Sequence, residues 1–242
     1  MRYGIFSDVH SNLEALEAVI AAYKKESIDR YLCVGDVVGY GPDPGECVEK
    51  VRQLAAVTVA GNHDWACVDL LPVSYFNPAA AAALLWTRKH LDSNAAYFLQ
   101  SLKLVHRDSG ITLVHSTLDE PQEFNYLLGS DAADATFRLL DTGVCFVGHT
   151  HIPGIFKKDK SGNITSLKGA AAALEEGSCY IANTGSVGQP RDGIPGAVFC
   201  IYDSEVKTII LKRVHYDIEK TRKKIIGVGL PQSLGDRLLA GR

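Results

Sequence analysis

Apolar residues along the chain gather in short runs that stop on polar ones. The stretch Tyr3 to Ser7 ends on Asp8, and "NLEALEAVIAAYKKE" follows with Leu13, Leu16, Val19, Ile20 and Tyr23 at helical spacing, which predicts strand, loop, helix. "RYLCVGD" (30–36) predicts a buried strand, "PGECVEKVRQLA" (44–55) a helix opened by proline, and "AVTVAGNHD" a third strand running into a polar turn. Helices are expected over 77–91 and 93–101, the first built on the run Ala79 to Ala83. "GITLVHST" (110–117) reads as a strand ending on a histidine, "SDAADATFRLLDT" (130–142) as a capped helix, and "VCFVGHTH" as a strand ending on two more histidines. Beyond it "GIFKKD", "NITSLKG", "SCYIANTG", "GAVFCIYD" and "VKTIILKRV" predict short strands in antiparallel hairpins, and a helical pair over 217–225 and 231–240 closes the chain. Alternating strands and helices with polar strand ends imply an α/β fold whose functional loops lie at the carboxyl edge of parallel strands. No repeat or linker divides the sequence, so one domain over 1–242 is expected.

The polar residues at those strand ends are Asp8, His10, Asp36, Asn62, His63, Asp64, His115, His149 and His151, which take in five of the eight histidines. One such histidine is ordinary; five at one edge beside carboxylates indicate metal binding. Imidazole with carboxylate and no thiolate suits first-row ions such as Mn, Fe, Zn or Ni and excludes a structural zinc finger. The ligand set is too large for one tetrahedral zinc and suits two ions sharing a carboxylate. Two divalent ions against Asp8 and Asp36 leave a net positive centre, which favours an anion with oxygen donors, a phosphate ester above all.

Composition narrows the partners. The 242 residues are 46% hydrophobic and 22% charged with formal net charge −3, so no positive field points to nucleic acid or an anionic membrane. Six cysteines stand apart without a C-x-x-C pair, several inside apolar runs, and are expected as reduced core residues. The first residues carry no signal-type apolar segment and the longest apolar run, Ala79 to Trp86, is far short of a membrane span; a cytoplasmic protein is expected.

Five blocks, Asp8-Val9-His10, Gly35-Asp36, Gly61-Asn62-His63-Asp64, His115 and Gly148-His149-Thr150-His151, resemble in order those of the calcineurin-like metallophosphoesterase superfamily. The resemblance implies a four-layer αββα sandwich, two mixed β-sheets flanked by helices. It implies two divalent transition-metal ions, Mn foremost: Asp8, His10 and His151 on the first, Asn62, His115 and His149 on the second, and Asp36 bridging. A hydroxide between the ions would attack phosphorus. His63 would sit beside the substrate as a catalytic group without binding metal, and Asp64 would support it by orienting its surroundings. The runner-up is a catalytically silent scaffold of the same fold, which is expected to have lost a ligand or His63; this chain has lost none.

"GDVVGYGPDP" lacks the second Asp and the Arg of the G-D-x-x-D-R-G block of the protein phosphatases. With "NTGSVGQPRDG" (183–193) it is similar instead to compact bacterial and archaeal phosphodiesterase-like members, some of them diadenosine-tetraphosphatase-like. Arg191 offers a bidentate fork, and Arg191 and Asn12 are the candidate phosphate contacts; the alternative is a solvated arginine on a tight turn. The expected partner is a small phosphate ester or nucleotide, with a homo-oligomer compatible and a membrane not. Residues 64–78 and 117–130, with Trp65, Tyr75, Phe76, Phe124 and Tyr126, are expected as site rims or as core, and His90, His106 and His215 as structural or exposed residues.

Overall fold

In the computed structural model, which describes residues 1–242, strands and helices alternate from the first residues. The elements are β1 (Arg2–Phe6), α1 (Leu13–Tyr23), β2 (Arg30–Cys33), α2 (Pro44–Leu54), β3 (Val57–Thr58), α3 (Asn62–Cys67), α4 (Pro78–His90) and α5 (Ser93–Ser101). There follow β4 (Val105–Asp108), β5 (Ile111–Val114), α6 (Gly129–Leu139), β6 (Val144–Val147), β7 (Gly154–Lys158), β8 (Ile164–Leu167), β9 (Ala171–Ala173) and β10 (Cys179–Asn183). Then come β11 (Ala197–Asp203), β12 (Thr208–Val214), α7 (Ile218–Gly227) and α8 (Gln232–Asp236), with a last 3-10 turn at Arg237–Ala240.

Two six-stranded sheets result, ordered β3-β2-β1-β11-β12-β9 and β4-β5-β6-β10-β7-β8. Each is mixed: β1, β2 and β3 run parallel in the first, and β5, β6 and β10 in the second, and every other pairing is antiparallel. The alternation of side chains along a strand explains why both faces are apolar. Ile5, Leu32, Leu113, Phe146 and Ala182 fill the space between the sheets. Phe6 and Cys33, facing the other way, pack under Leu16 and Val19 of α1, Val48 and Val51 of α2 and Leu99 of α5. Val114, Cys145 and Val147 likewise pack under Ala133 and Phe137 of α6. Helix, sheet, sheet, helix is therefore the layer order, as expected.

Helix starts follow their capping chemistry. Asn12 accepts from the Ala15 N–H, Asn77 from that of Ala80 and Asp92 from that of Ala95, at the first turns of α1, α4 and α5. The expected cap of α6 is absent: Leu128 occupies the capping position, and Ser130 turns its hydroxyl to the Asp131 carboxylate. Strands β4 and β9 were not foreseen. "VHRD" has no apolar alternation, and "AAA" has low strand propensity; both lie at sheet edges, where the pairing partner supplies the order. Strand β10 pairs parallel with β6 as well as antiparallel with β7, so the later strands are not hairpins alone. All six cysteines are free and all but the half-buried Cys179 are buried, and no helix is long and apolar enough to cross a membrane.

Tyr23 ties α1 to the first sheet. Its ring meets Tyr31 and Phe199 edge-on, and its hydroxyl lies 2.9 Å from the Ile5 carbonyl oxygen, to which it donates, and 3.1 Å from that of Cys200. Tyr23→Phe keeps the ring and removes the donor; urea unfolding is expected to show a loss of about 1–2 kcal/mol. An unchanged unfolding midpoint would show that the hydroxyl contributes nothing.

Candidate metal centre

Asp8 follows β1, Asp36 follows β2, Asn62 follows β3, His115 follows β5, and His149 and His151 follow β6. Because β1, β2 and β3 are mutually parallel and so are β5 and β6, these residues emerge at carboxyl ends, and the two sheets bring both sets together. Asp8, His10, Asp36 and His151 place one ligand atom each within 4.8 Å of one another, and Asp36, His115 and His149 do the same. Asp36 belongs to both groups, and all six residues are buried.

The backbone reaches this arrangement by unusual means. Asp8, His10, Asp36, His149 and His151 have φ of 55°, 50°, 52°, 64° and 60°, the left-handed region that residues other than glycine seldom occupy. Such conformations persist where surrounding contacts over-determine them. Glycines beside the ligands make room: a Cβ on Gly61 would overlap the Asp36 carboxylate, and one on Gly148 would overlap Ser7 Oγ and the Asp8 carboxylate.

Hydrogen bonds then fix the imidazoles. His10 Nδ1 lies 3.1 Å from the Val38 carbonyl oxygen, His115 Nδ1 2.7 Å from that of Val34, and His151 Nδ1 2.5 Å from that of Gln189. A carbonyl only accepts, so each Nδ1 carries a proton, and in the neutral ring Nε2 then holds the lone pair, the tautomer that suits a metal ligand. The Nε2 atoms of His10 and His151 stand 3.0 Å apart. Two lone pairs at that distance repel unless a cation shares them. His115 Nε2 and Asn62 Oδ1 are also buried without a hydrogen-bond partner. These orphaned acceptors, two buried carboxylates and the donor types fit divalent metal ions.

Titration tells the same story. Burial pushes the His115 imidazole down, but the Asp36 and Asp8 carboxylates outweigh it and lift it to about 10. A buried pair of carboxylates is thus drawing positive charge to itself. Burial depresses His10, His151 and His149, the last to about 3, so these rings are neutral. Against the penalty of burial, His151 and His115 hold Asp8 well below the ordinary carboxylate range.

Above the ligands lies a cavity of about 460 Å³ whose lining includes Asp36, Asn62, His63, His149, His151 and Arg191. The His63 ring stands between Tyr40, His10 and Phe76, with centroids 4.4, 4.8 and 4.9 Å away, and the His63 backbone N–H donates to Asp36 Oδ1 at 2.8 Å. Burial lowers its pKa to about 4, which makes it a neutral N–H donor at the cavity wall. Arg191 donates from Nη2 to Gln189 Oε1 at 2.9 Å and to Tyr40 Oη at 3.2 Å, and its guanidinium lies 5.8 Å from the Tyr40 ring centre.

One sequence-based assignment changes. Asn12 does not line the cavity: its amide donates to the Gly188 carbonyl and Tyr216 Oη, and its oxygen accepts from Ala15 and Thr221, so every polar position is spent on holding α1 and α7. Asp64 is fully buried outside the lining; its oxygens accept the N–H groups of Val37, Val38 and Gly61, which braces the loop that carries Asp36. Burial and the Asp36 carboxylate push Asp64 up to about 7. Tyr40 was missed, since nothing in "GYG" marks a tyrosine that the fold carries to a cavity wall. The expected aromatic rims are there: Trp65, Tyr75, Phe76, Phe124 and Tyr126 all line the cavity. His90, His106 and His215 lie outside both ligand groups.

Known proteins share this framework. A calcineurin-like phosphoesterase superfamily domain matches residues 1–207. An uncharacterized protein of Methanocaldococcus jannaschii is 41% identical over 242 residues, covering 98% of this chain and 97% of that protein. The crystal structure of a metallophosphoesterase from Sphaerobacter thermophilus is similar with a TM-score of 0.88 at 40% identity, over 100% of this chain and 99% of that one. A hypothetical protein from Pyrococcus horikoshii shares the fold with a TM-score of 0.80 at 19% identity, over 100% and 98% of the two chains. With the domain matched over most of its length and the cluster of aspartates and histidines at the sheet ends, the chain belongs to the calcineurin-like phosphoesterase superfamily.

Proposed function

We propose that the chain is a metal-dependent phosphoesterase that takes two divalent transition ions and hydrolyses phosphodiester or phosphomonoester bonds of a small or nucleotide-type substrate. The observation that carries this reading is the pair of ligand groups that share Asp36 under a cavity. Asp8, His10 and His151 would hold one ion with Asp36, and Asn62, His115 and His149 the other. Manganese is favoured because carboxylate, amide and imidazole donors without thiolate suit it, and Fe, Zn and Ni accept the same set. The six free cysteines support a reducing, cytoplasmic setting.

Bound divalent ions supply Lewis acidity toward phosphoryl oxygens and lower the pKa of an attacking water. The protein's own groups do the rest. His63, neutral and backed by Tyr40 and Phe76, offers its N–H to a phosphoryl or leaving oxygen at the wall. Asp36 holds the His63 backbone through a 2.8 Å hydrogen bond, so the same carboxylate that binds metal sets the position of the donor. Arg191, with its fork held by Tyr40 and Gln189, presents a fixed cation to the non-reacting phosphoryl oxygens. A silent scaffold would have no use for a complete ligand set and an intact His63.

Purified protein with Mn is expected to hydrolyse bis-p-nitrophenyl phosphate or p-nitrophenyl phosphate, and EDTA to abolish the activity. No hydrolysis of either with Mn, Fe, Zn or Ni would refute the proposal. His63→Ala is expected to lower kcat by about 10²-fold or more with metal content unchanged, by elemental analysis, whereas Asp36→Ala loses both. Calorimetric metal titration should show His151→Ala weakening one of two binding events and His149→Ala the other; equal loss of both events in either variant would end that division of ligands.

A further inference from the structure

The cavity is far larger than a phosphoryl group. About 460 Å³ is in the range that encloses a whole small organic ligand, roughly 300–1,000 Å³. Its chemistry changes with distance from the metal ligands. Apart from the ligands, the only charged residues in the lining are Arg191 and Glu123. The outer lining is made of rings and amides together with the aliphatic Leu70, Leu71 and Pro72.

Two aromatic walls spring from the histidines of the centre. On one side Phe76 meets His63 edge-on at 4.9 Å, and the neighbouring Tyr75 continues outward, 74% exposed. On the other, Tyr126 stacks on His149 at 4.2 Å and 23° while remaining 51% exposed, and Phe124 meets Trp65 edge-on at 5.6 Å. Phe124 sits on left-handed backbone: Glu120 and Phe124 have φ of 47° and 51°, bracketing the turn Pro121–Glu123. Left-handed backbone at a bulky residue is rare and clusters at functional sites. Tyrosines this exposed gain nothing for the core, and both face the same cavity.

Amides accompany the rings. Asn77 spends its oxygen on capping α4, which leaves its N–H hydrogens free at the lining, and Gln122 stands on the opposite wall. A flat, uncharged group with hydrogen-bonding edges matches such walls; an acyl chain would leave the amides unpaired, and a further phosphate would find no second cation. We infer that the outer cavity is a subsite for a nucleobase, so that the substrate is a nucleoside phosphate ester whose base lies against Tyr75 and Tyr126 while its phosphate meets the centre. The inference rests on the phosphoesterase reading for the role of the phosphate.

Calorimetry on the Mn-loaded protein tests it, comparing adenosine 5′-monophosphate with ribose 5-phosphate, which share sugar and phosphate. The nucleotide is expected to bind about tenfold tighter or more, the contribution of base stacking on aromatic side chains. The double variant Tyr75→Ala/Tyr126→Ala should bring that ratio near one, and Tyr75→Phe/Tyr126→Phe should preserve it. Equal affinities in the unaltered protein, or a ratio untouched by the alanine pair, would overturn the subsite. Hydrolysis of bis-p-nitrophenyl phosphate without the affinity ratio sinks the subsite alone. An intact ratio with no ester hydrolysed sinks the hydrolase and leaves the base-binding subsite standing.

Discussion

Lone pairs converge in this molecule without enough hydrogen to separate them. Two buried carboxylates, an orphaned amide oxygen and imidazole nitrogens from both sheets meet in a volume from which water is largely excluded. Removing such groups from water costs roughly several kcal/mol for each charge unless a partner compensates it. Nearly every unusual local choice in the fold maintains that convergence. Backbone carbonyls of Val34, Val38 and Gln189 accept the Nδ1 protons, so the Nε2 atoms are the ones turned toward the carboxylates and toward one another. Left-handed dihedrals turn the ligands inward, and the glycines at 61 and 148 let backbone and carboxylate touch.

The same economy governs the surrounding residues. Asp36 belongs to both groups of candidate ligands and also accepts the His63 backbone N–H. The His149 N–H donates to both oxygens of Asp8, so the loop after β6 is pinned to the residue after β1 across the gap between sheets. Asp64 gives three backbone donors a common anion and thereby fixes the curvature of the segment that carries Asp36. Arg191 closes the ring by taking its orientation from Tyr40, which in turn touches His10 and His63.

Much of this was legible in the residues. A run of apolar residues stopping on Asp8, Asp36, His115 or His149 is a local signal, since a strand end and a ligand need only be adjacent in the chain. Edge strands β4 and β9 carry no such signal, because their order comes from the strand they pair with. Asn12 was misassigned for a similar reason: being near the Asp8 loop in sequence says nothing of Tyr216 and Thr221, which claim its amide from the far end of the chain. Tyr40 and the braces on the imidazoles are tertiary facts. The aromatic rims stood in between, their positions legible and their side unknown until the fold showed which surface they share.

His10 and His151 touch through their Nε2 atoms although 141 positions separate them in the chain, and the carbonyl that sets the His151 tautomer belongs to Gln189, a further 38 positions on. Asp8, His10 and Asp36 come from the first parallel strands of one sheet, and His115, His149 and His151 from the other. Loop closure over such separations is slow compared with local helix and hairpin formation. The cluster is consequently a property of the packed pair of layers: neither sheet alone carries it, and it exists only once both are in place.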